Sequence, residues 1–234
     1  MRILITGASS GIGREAALAF AADPAHQVLA LARRSAPLEA LAREAQGLYS
    51  RAAIAWREYD LTTSDFSILQ EAVESMGGVD ILVNNAGLLI NKPFEQLTDA
   101  DWQQQFEVNV FSPVRLIRLL LPWLEKSAEA HVVNISSMGG FQGSSKFPGL
   151  AAYSASKAAL ANLTECLAEE FKEKGIAVNC LALGAVQTEM LATAFPGYQA
   201  PLNAADMGDF VAWFATQGRR FFNGKILPVS VSTP

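Results

Sequence analysis

The chain has 234 residues, half of them hydrophobic, and a formal net charge of −5. That length fits one domain with a large buried core, and the acidic balance argues against nucleic-acid binding, which needs clustered basic residues. Met1 leads straight into an apolar run, so no secretion signal is expected; the most apolar helical stretch, Val114 to Leu124, is too short to cross a bilayer and contains Arg115, Arg118 and Pro122.

Short apolar runs alternate with helical patterns along the whole chain. The first run, Ile3–Ile5, leads into Thr6-Gly7-Ala8-Ser9-Ser10-Gly11-Ile12-Gly13. Gly7 permits a tight turn, Gly11 lets the backbone approach a pyrophosphate, and Gly13 lets helix and sheet pack closely. Free amides at the helix start, with the Ser9 and Ser10 hydroxyls, suit phosphates. The second run, Val28–Leu31, ends at Ala32 and is followed by Arg33 and Arg34, with Pro37 in the first turn of a helix after Ser35. The third, Ala53–Trp56, leads to Asp60-Leu61. The fourth, Ile81–Val83, leads to Asn84-Asn85-Ala86-Gly87, and Thr98 with Asp101 signals the next helix start. Pro113 has no amide hydrogen for the carbonyl of Asn109, which predicts a kink there and an Asn109 carbonyl left to hold a water. The fifth run, Val132–Ile135, ends in Ser136 and Ser137. Tyr153 and Lys157 follow, four apart and therefore on one helix face, and Leu160, Leu163, Leu167 and Phe171 continue that helix until Gly175. Ala177–Leu183 is the sixth run and Ile226–Val231 the seventh, with Asn203 before Asp206 opening the last helix. Apolar runs without alternation describe strands buried on both faces. The fold class is therefore α/β, a doubly wound Rossmann-type sheet with ligands at the carboxyl ends of its strands.

The glycine spacing, Asn84–Gly87, Asn109, Ser137 and the Tyr-x-x-x-Lys pair together resemble the short-chain dehydrogenase/reductase family over nearly the whole chain. The resemblance implies a parallel seven-stranded sheet flanked by helices on both faces. It also implies a single dinucleotide-binding domain over residues 1–234, with substrate loops at about 138–152 and 185–203, assembled as a homodimer or homotetramer. For a bound nicotinamide dinucleotide, Gly7, Ser9, Ser10, Gly11, Ile12 and Gly13 surround the phosphates. Asp60 and Leu61 adjoin the adenine, and the backbone of Asn85, Ala86 and Gly87 lines the adenosine ribose. Tyr153, Lys157, Gly184, Val186 and Thr188 lie toward the nicotinamide. A carboxylate at the end of the second strand would bond a ribose 2′-hydroxyl and repel a 2′-phosphate. Ala32 stands there and Arg33 and Arg34 follow, so NADP(H) is expected in preference to NAD(H), chiefly through Arg33.

The expected chemistry is proton delivery. Free tyrosine titrates near pH ~10, and acid/base work at neutral pH asks for a shift of about three units, roughly 4 kcal/mol. Lys157 is assigned to lowering the Tyr153 pKa and binding the nicotinamide ribose, Ser137 to polarising a carbonyl oxygen, and Asn109 to a water relay. Ser136 competes with Ser137 for the serine role; Ser137 stands directly before Met138-Gly139-Gly140, which matches the family pattern. Phe141, Phe147, Pro148 and Leu150 of one loop, with Met190, Leu191, Phe195 and Tyr198 of another, can wall a pocket for a largely apolar carbonyl compound. The helix over Val110 to Leu124 is apolar around most of its circumference, which suggests self-association.

Leu183 stands where the family usually has proline, and the end Val231-Ser232-Thr233-Pro234 lacks the glycine-rich tail of many relatives, which puts assembly through that end in doubt. His26 and His131 are the only histidines; they are expected at strand edges, with no metal site and no base for a hydrolase serine. Cys166 and Cys180 are expected as reduced, buried thiols of a cytoplasmic protein, and the glycosylation patterns at Asn134 and Asn162 as unmodified. The reading is an NADPH-dependent reductase of ketones or aldehydes, with a small-molecule carbonyl or alcohol as its partner and neither nucleic acid nor membrane. The alternatives are an alcohol dehydrogenase, an acyl-thioester ketone reductase, or a non-catalytic dinucleotide-binding redox sensor.

Overall fold

A computed structural model describes residues 1–50, 54–63 and 65–231. In chain order they form β1 (Arg2–Thr6), α1 (Gly11–Ala21), β2 (Gln27–Ala32), α2 (Ser35–Leu48), β3 (Ile54–Glu58), α3 (Ser67–Ser75), β4 (Ile81–Asn84) and α4 (Asp99–Phe106). There follow α5 (Ser112–Leu124), β5 (His131–Ser137), α6 (Ala151–Glu170), β6 (Ala177–Leu183), β7 (Val186–Gln187), α7 (Glu189–Ala194), β8 (Leu202–Asn203), α8 (Ala204–Gln217) and β9 (Ile226–Val229). Seven strands make one parallel sheet in the order β3-β2-β1-β4-β5-β6-β9, while β7 and β8 pair separately. The order reverses between β1 and β4, and this switch point opens a crevice at the carboxyl ends of the strands. All seven expected strands are present. The predicted start of the third, Ala53, lies outside the described residues, and the seventh ends at Val229.

Both sheet faces are covered, which is why the strands read as unbroken apolar runs. Ile3, Ile5, Val28 and Ala30 pack with α1, α2 and α8 residues such as Phe20, Leu38 and Phe214 on one face. Leu4, Leu29, Leu31 and Leu82 pack with Leu69, Leu116 and Leu120 of α3 and α5 on the other. Each face buries large side chains with no exposed surface, and each such side chain contributes about 1.5–3 kcal/mol of transfer free energy. The half-buried Leu119, Leu121 and Trp123 of α5 also pack against this second cluster. Much of the cover that the sequence assigns to a second subunit is thus supplied by the chain itself.

Local signals hold with two adjustments. Thr98 and Asp101 form a reciprocal capping box, and the Asn203 side chain accepts from the Asp206 amide. Ser35 is the first helical residue of α2, with Arg34 at the cap. The long helix α6 stops at Glu170, and a single tight turn follows before Gly175 adopts its left-handed φ of 69°. Cys180 is buried but Cys166 is exposed, so only one thiol sits as expected. Among the described residues no helix is long and apolar enough to cross a membrane.

His131 opens β5, as a strand-edge residue would, yet it is fully buried. Its Nδ1 donates to the Ala215 carbonyl at 2.8 Å, and its Nε2 accepts from the Asn179 amide at 3.0 Å. A second proton would set two donors face to face, and burial holds its pKa down at about 4. Because the folded value lies below the ordinary 6.5, stability is full above that pH and falls as pH drops toward 4. Urea melts should show a loss of up to about 3 kcal/mol across this window, and His131→Gln should flatten it.

Candidate active site

The turn after β1 is shaped to receive an anion. Ser10 caps α1 with extended backbone and no side-chain bond, and the first helical turn carries no acidic residue. The helix-start amides and the positive end of the dipole are therefore left for a ligand. Gly7 has a φ of 69°, and a Cβ there would stand 2.8 Å from the Ala86 Cα. A Cβ on Gly13 would overlap the Asn85 side-chain amide, which lies beneath the turn and donates to the Thr6 carbonyl at 2.9 Å. The buried Thr6 hydroxyl accepts from the amides of Asn85 and Ala86 at 3.1 and 3.0 Å, pinning the turn after β4 to the end of β1. Ser9 and Ser10 are half-buried beside it, and Ile12 packs inward on the core. Across the turn, the Thr188 Cγ2 lies 3.3 Å from a Cβ built on Gly11, so the segment after β6 closes over it. This cradle of missing side chains and open amides suits the diphosphate of a dinucleotide.

The outer rim carries the expected cations. Arg33 and Arg34 are both exposed directly after β2. Asp60 follows β3 and its Oδ1 accepts from the Thr62 amide and hydroxyl at 2.9 and 2.8 Å. Those bonds, with a smaller contribution from the nearby Arg33 charge, hold its carboxyl below the usual range. Leu61 turns its carbonyl to Ser112 and Arg115, at 2.9 and 3.1 Å. Gly184 packs against Ser230, and Val186 is buried in β7. Leu183, in the proline position, stays in regular β6 between Ser137 and Val229.

Asn109, Ser137, Tyr153 and Lys157 converge where β5 meets the start of α6. Ser137 ends β5, half-exposed, and its Oγ accepts from the Gly139 amide at 3.1 Å. The Tyr153 phenol is close enough for its interaction with Ser137 to favour phenolate. Ser136 is buried and donates to the Lys157 carbonyl at 2.8 Å, so the two serines separate into one that fastens α6 and one that faces the phenol. The Lys157 ammonium lies 5.9 Å from the Tyr153 ring centroid. A Cβ on Gly87 would stand 3.4 Å from the Lys157 Nζ and 3.5 Å from the Asn109 Oδ1, so the turn after β4 borders the same space.

Two features of this cluster add to the expectations. Burial pushes the Tyr153 phenol up to about 12, against the smaller effect of Ser137. The Lys157 ammonium donates to the Ile135 carbonyl at 2.8 Å, and burial lowers its own pKa to about 8. The kink at Asn109 is a wide turn, a π segment over Glu107–Phe111 in which the Ser112 amide donates to the Glu107 carbonyl. Pro113 explains it, because the wider spacing bypasses the missing amide hydrogen. The Asn109 side chain does most of the work there. Its Oδ1 accepts from the Leu88 amide at 2.8 Å, and its Nδ2 donates to the Leu88 carbonyl and the Ser156 hydroxyl, each at 2.9 Å. Ser156 then donates to the Tyr153 carbonyl at 2.7 Å. Thr6 and Ser156 are the two residues of the site that the sequence did not single out.

A glycine cradle at the switch point, beside a buried lysine, a phenol and a serine hydroxyl, defines a dinucleotide-dependent oxidoreductase of carbonyl and alcohol groups. The short chain dehydrogenase family model matches residues 1–199. The chain belongs to the short-chain dehydrogenase/reductase family. It is 34% identical over 191 residues to the 3-oxoacyl-[acyl-carrier-protein] reductase FabG of Thermotoga maritima, covering 80% of this chain and 74% of that protein. A 7α-hydroxysteroid dehydrogenase solved with NADH and 7-oxo glycochenodeoxycholic acid is 30% identical, with a TM-score of 0.90 over 99% of this chain and 93% of that one. An L-sorbose reductase of Gluconobacter frateurii, solved with NADPH and L-sorbose, gives 25% identity and a TM-score of 0.88 over 99% and 95%. Solved neighbours thus hold either nicotinamide coenzyme.

Proposed function

We propose that the protein is an NADPH-dependent reductase of ketones or aldehydes on a largely apolar small molecule, with alcohol oxidation as the reverse reaction. The observation that carries this reading is the meeting of the Tyr153 phenol and the Ser137 hydroxyl at the end of β5, bordered by Lys157. When bound, the dihydronicotinamide supplies a hydride to the carbonyl carbon. Tyr153 donates its proton to the carbonyl oxygen, and Ser137 hydrogen-bonds the same oxygen and polarises it. Lys157 binds the nicotinamide ribose. Asn109 holds the start of α6 in place through Ser156 and the Tyr153 carbonyl, and serves the proton relay. Gly7 to Gly13 hold the diphosphate, Asp60, Leu61 and Asn85–Gly87 the adenosine, and Gly184, Val186 and Thr188 the nicotinamide end. A redox sensor would have no use for a buried proton donor, which disfavours that alternative.

The coenzyme preference rests on Arg33, with Arg34 beside it, and on the uncharged Ala32. A guanidinium–phosphate contact of about 2 kcal/mol implies that Arg33→Ala lowers kcat/KM for NADPH roughly 30-fold and leaves NADH nearly as before. A wild-type preference for NADH would end the assignment. We also propose a single domain with built-in substrate loops, a cytoplasmic location, and assembly into a dimer or tetramer, for which the exposed rings of Phe111, Trp213 and Phe221 give a physical motive. The function is tested by following NADPH absorbance with aromatic diketones, quinones and aliphatic ketones. Consumption with none of them would overturn it.

A further inference from the structure

The sheet face beneath α6 carries a file of buried polar side chains that the proposed chemistry does not use. Asn84 is 2% exposed, and Asn134 and Thr164 have no exposed surface. The Thr164 hydroxyl donates to the Leu160 carbonyl at 2.9 Å, one turn back in its own helix. Its oxygen is then left to accept, and the Asn134 Nδ2 donates to it at 2.9 Å. The Asn134 Oδ1 accepts in turn from the Nδ2 of Asn84, its neighbour across β4 and β5, at 2.8 Å. Each group has one part to play, so the file has a single arrangement. Asn134, Ser136 and Thr164 all belong to the two glycosylation patterns of the sequence, and here they are buried and bonded within the chain.

Such bonds matter because α6 has little else to key it. Its buried residues include Ala152, Ser156, Ala161 and Ala168, with Leu160 as the large aliphatic among them. Small side chains offer low ridges, so packing alone fixes the sliding position of the helix loosely. Three consecutive residues of β5 supply what packing lacks. Asn134 holds Thr164, the Ile135 carbonyl accepts from the Lys157 ammonium at 2.8 Å, and Ser136 donates to the Lys157 carbonyl at 2.8 Å. Residues 157 and 164 are about 10 Å apart along the axis, so two anchors fix both the height and the rotation of the helix. Ser137, which faces the Tyr153 phenol, follows directly on the same strand. We propose that Asn134 and Thr164 are positioning residues, which set the phenol at its distance from Ser137 through the register of α6. The inference rests on the reductase reading above and adds to it the far anchor of the helix that carries the proton donor. Thr164 lies about 16 Å along that helix from Tyr153, so it acts through the helix and not by contact.

Thr164→Val keeps the shape of the side chain and removes its bonds. In the NADPH-loaded enzyme it should lower kcat roughly tenfold and change the carbonyl KM less than about twofold, because a misplaced proton donor slows the step more than it weakens binding. Thr164→Ser keeps the hydroxyl and should restore kcat to within about twofold of the wild type. Added to Tyr153→Phe, Thr164→Val should cost less than about twofold more, since the phenol it displaces is already gone. A lower melting temperature with unchanged kcat, or an equal loss in the Tyr153→Phe background, overturns the proposal. NMR of ¹³Cζ-labelled tyrosine, with the Tyr153 signal assigned by its loss in Tyr153→Phe, reads the displacement without turnover. That signal should move in Thr164→Val and return in Thr164→Ser. A signal that moves in a protein reducing no ketone supports the positioning and counts against the reductase reading alone. If Thr164→Val fails to fold, Asn134→Thr, a β-branched residue that suits a strand and lacks the amide, carries the same readings. A Tyr153 signal that stays in place overturns the proposal.

Discussion

Tyr153→Phe is expected to lower kcat by about 10³, with far less change in KM for the carbonyl compound. The ring is buried and its volume is kept, so packing around α6 should persist and the loss should report the phenolic proton alone. Burial holds the phenol near 12, so at neutral pH it carries its proton. That is the loaded state of an acid, which the reductive direction uses. Stopped-flow absorbance under saturating coenzyme measures the step directly. A variant that turns over at an ordinary rate would remove Tyr153 from the chemistry.

Lys157→Met should stabilise the protein while abolishing turnover. Burial lowers the lysine pKa from 10.5 to about 8, so charging this group inside the fold costs about 3 kcal/mol. The sign follows from linkage. Below pH 8 the cation is present in both states and the penalty is full; it fades as pH rises from 8 to 10.5, where only the unfolded chain stays charged. Losing the bond to the Ile135 carbonyl returns about 1 kcal/mol of that gain. A net stabilisation of about 2 kcal/mol should raise Tm by roughly 4–8 °C at pH 7, with a smaller rise at pH 10. An unchanged or lower Tm would mean that the ammonium is better solvated than its surroundings indicate. The combination, a gain in stability with a loss of function, marks a residue kept for chemistry at the expense of the fold.

The sheet was legible because most strands are unbroken apolar runs, and the starts of α2, α4 and α8 carry a proline or capping signal. Asn109 and Pro113 disclosed an irregular helix, since a missing amide hydrogen is a fact about the residues alone. What the sequence could not disclose was where long side chains point. Lys157 lies beside the Tyr153 ring as expected, but its ammonium also donates to a carbonyl of β5, and that depends on packing. Thr6 read only as the end of a strand, because its two amide partners lie about eighty residues away. Ser156 sits in plain view three residues after Tyr153, but its bond to Asn109 becomes visible only when α6 lies against the π turn. His131 is a similar case: two nitrogens satisfied by α8 and β6 leave no local trace.

The Thr6 hydroxyl, by accepting two amides from the turn after β4, fastens together two stretches of the proposed coenzyme floor. A floor tied in this way is expected to hold its width whichever dinucleotide it receives. Selectivity must then reside at its margins, in the side chains that follow β2 and in the Thr188 segment that closes from above. A change of coenzyme made in the side chains after β2 is thereby separable from a change of substrate, whereas one made in the Thr188 segment, which belongs to the proposed substrate loop, touches both.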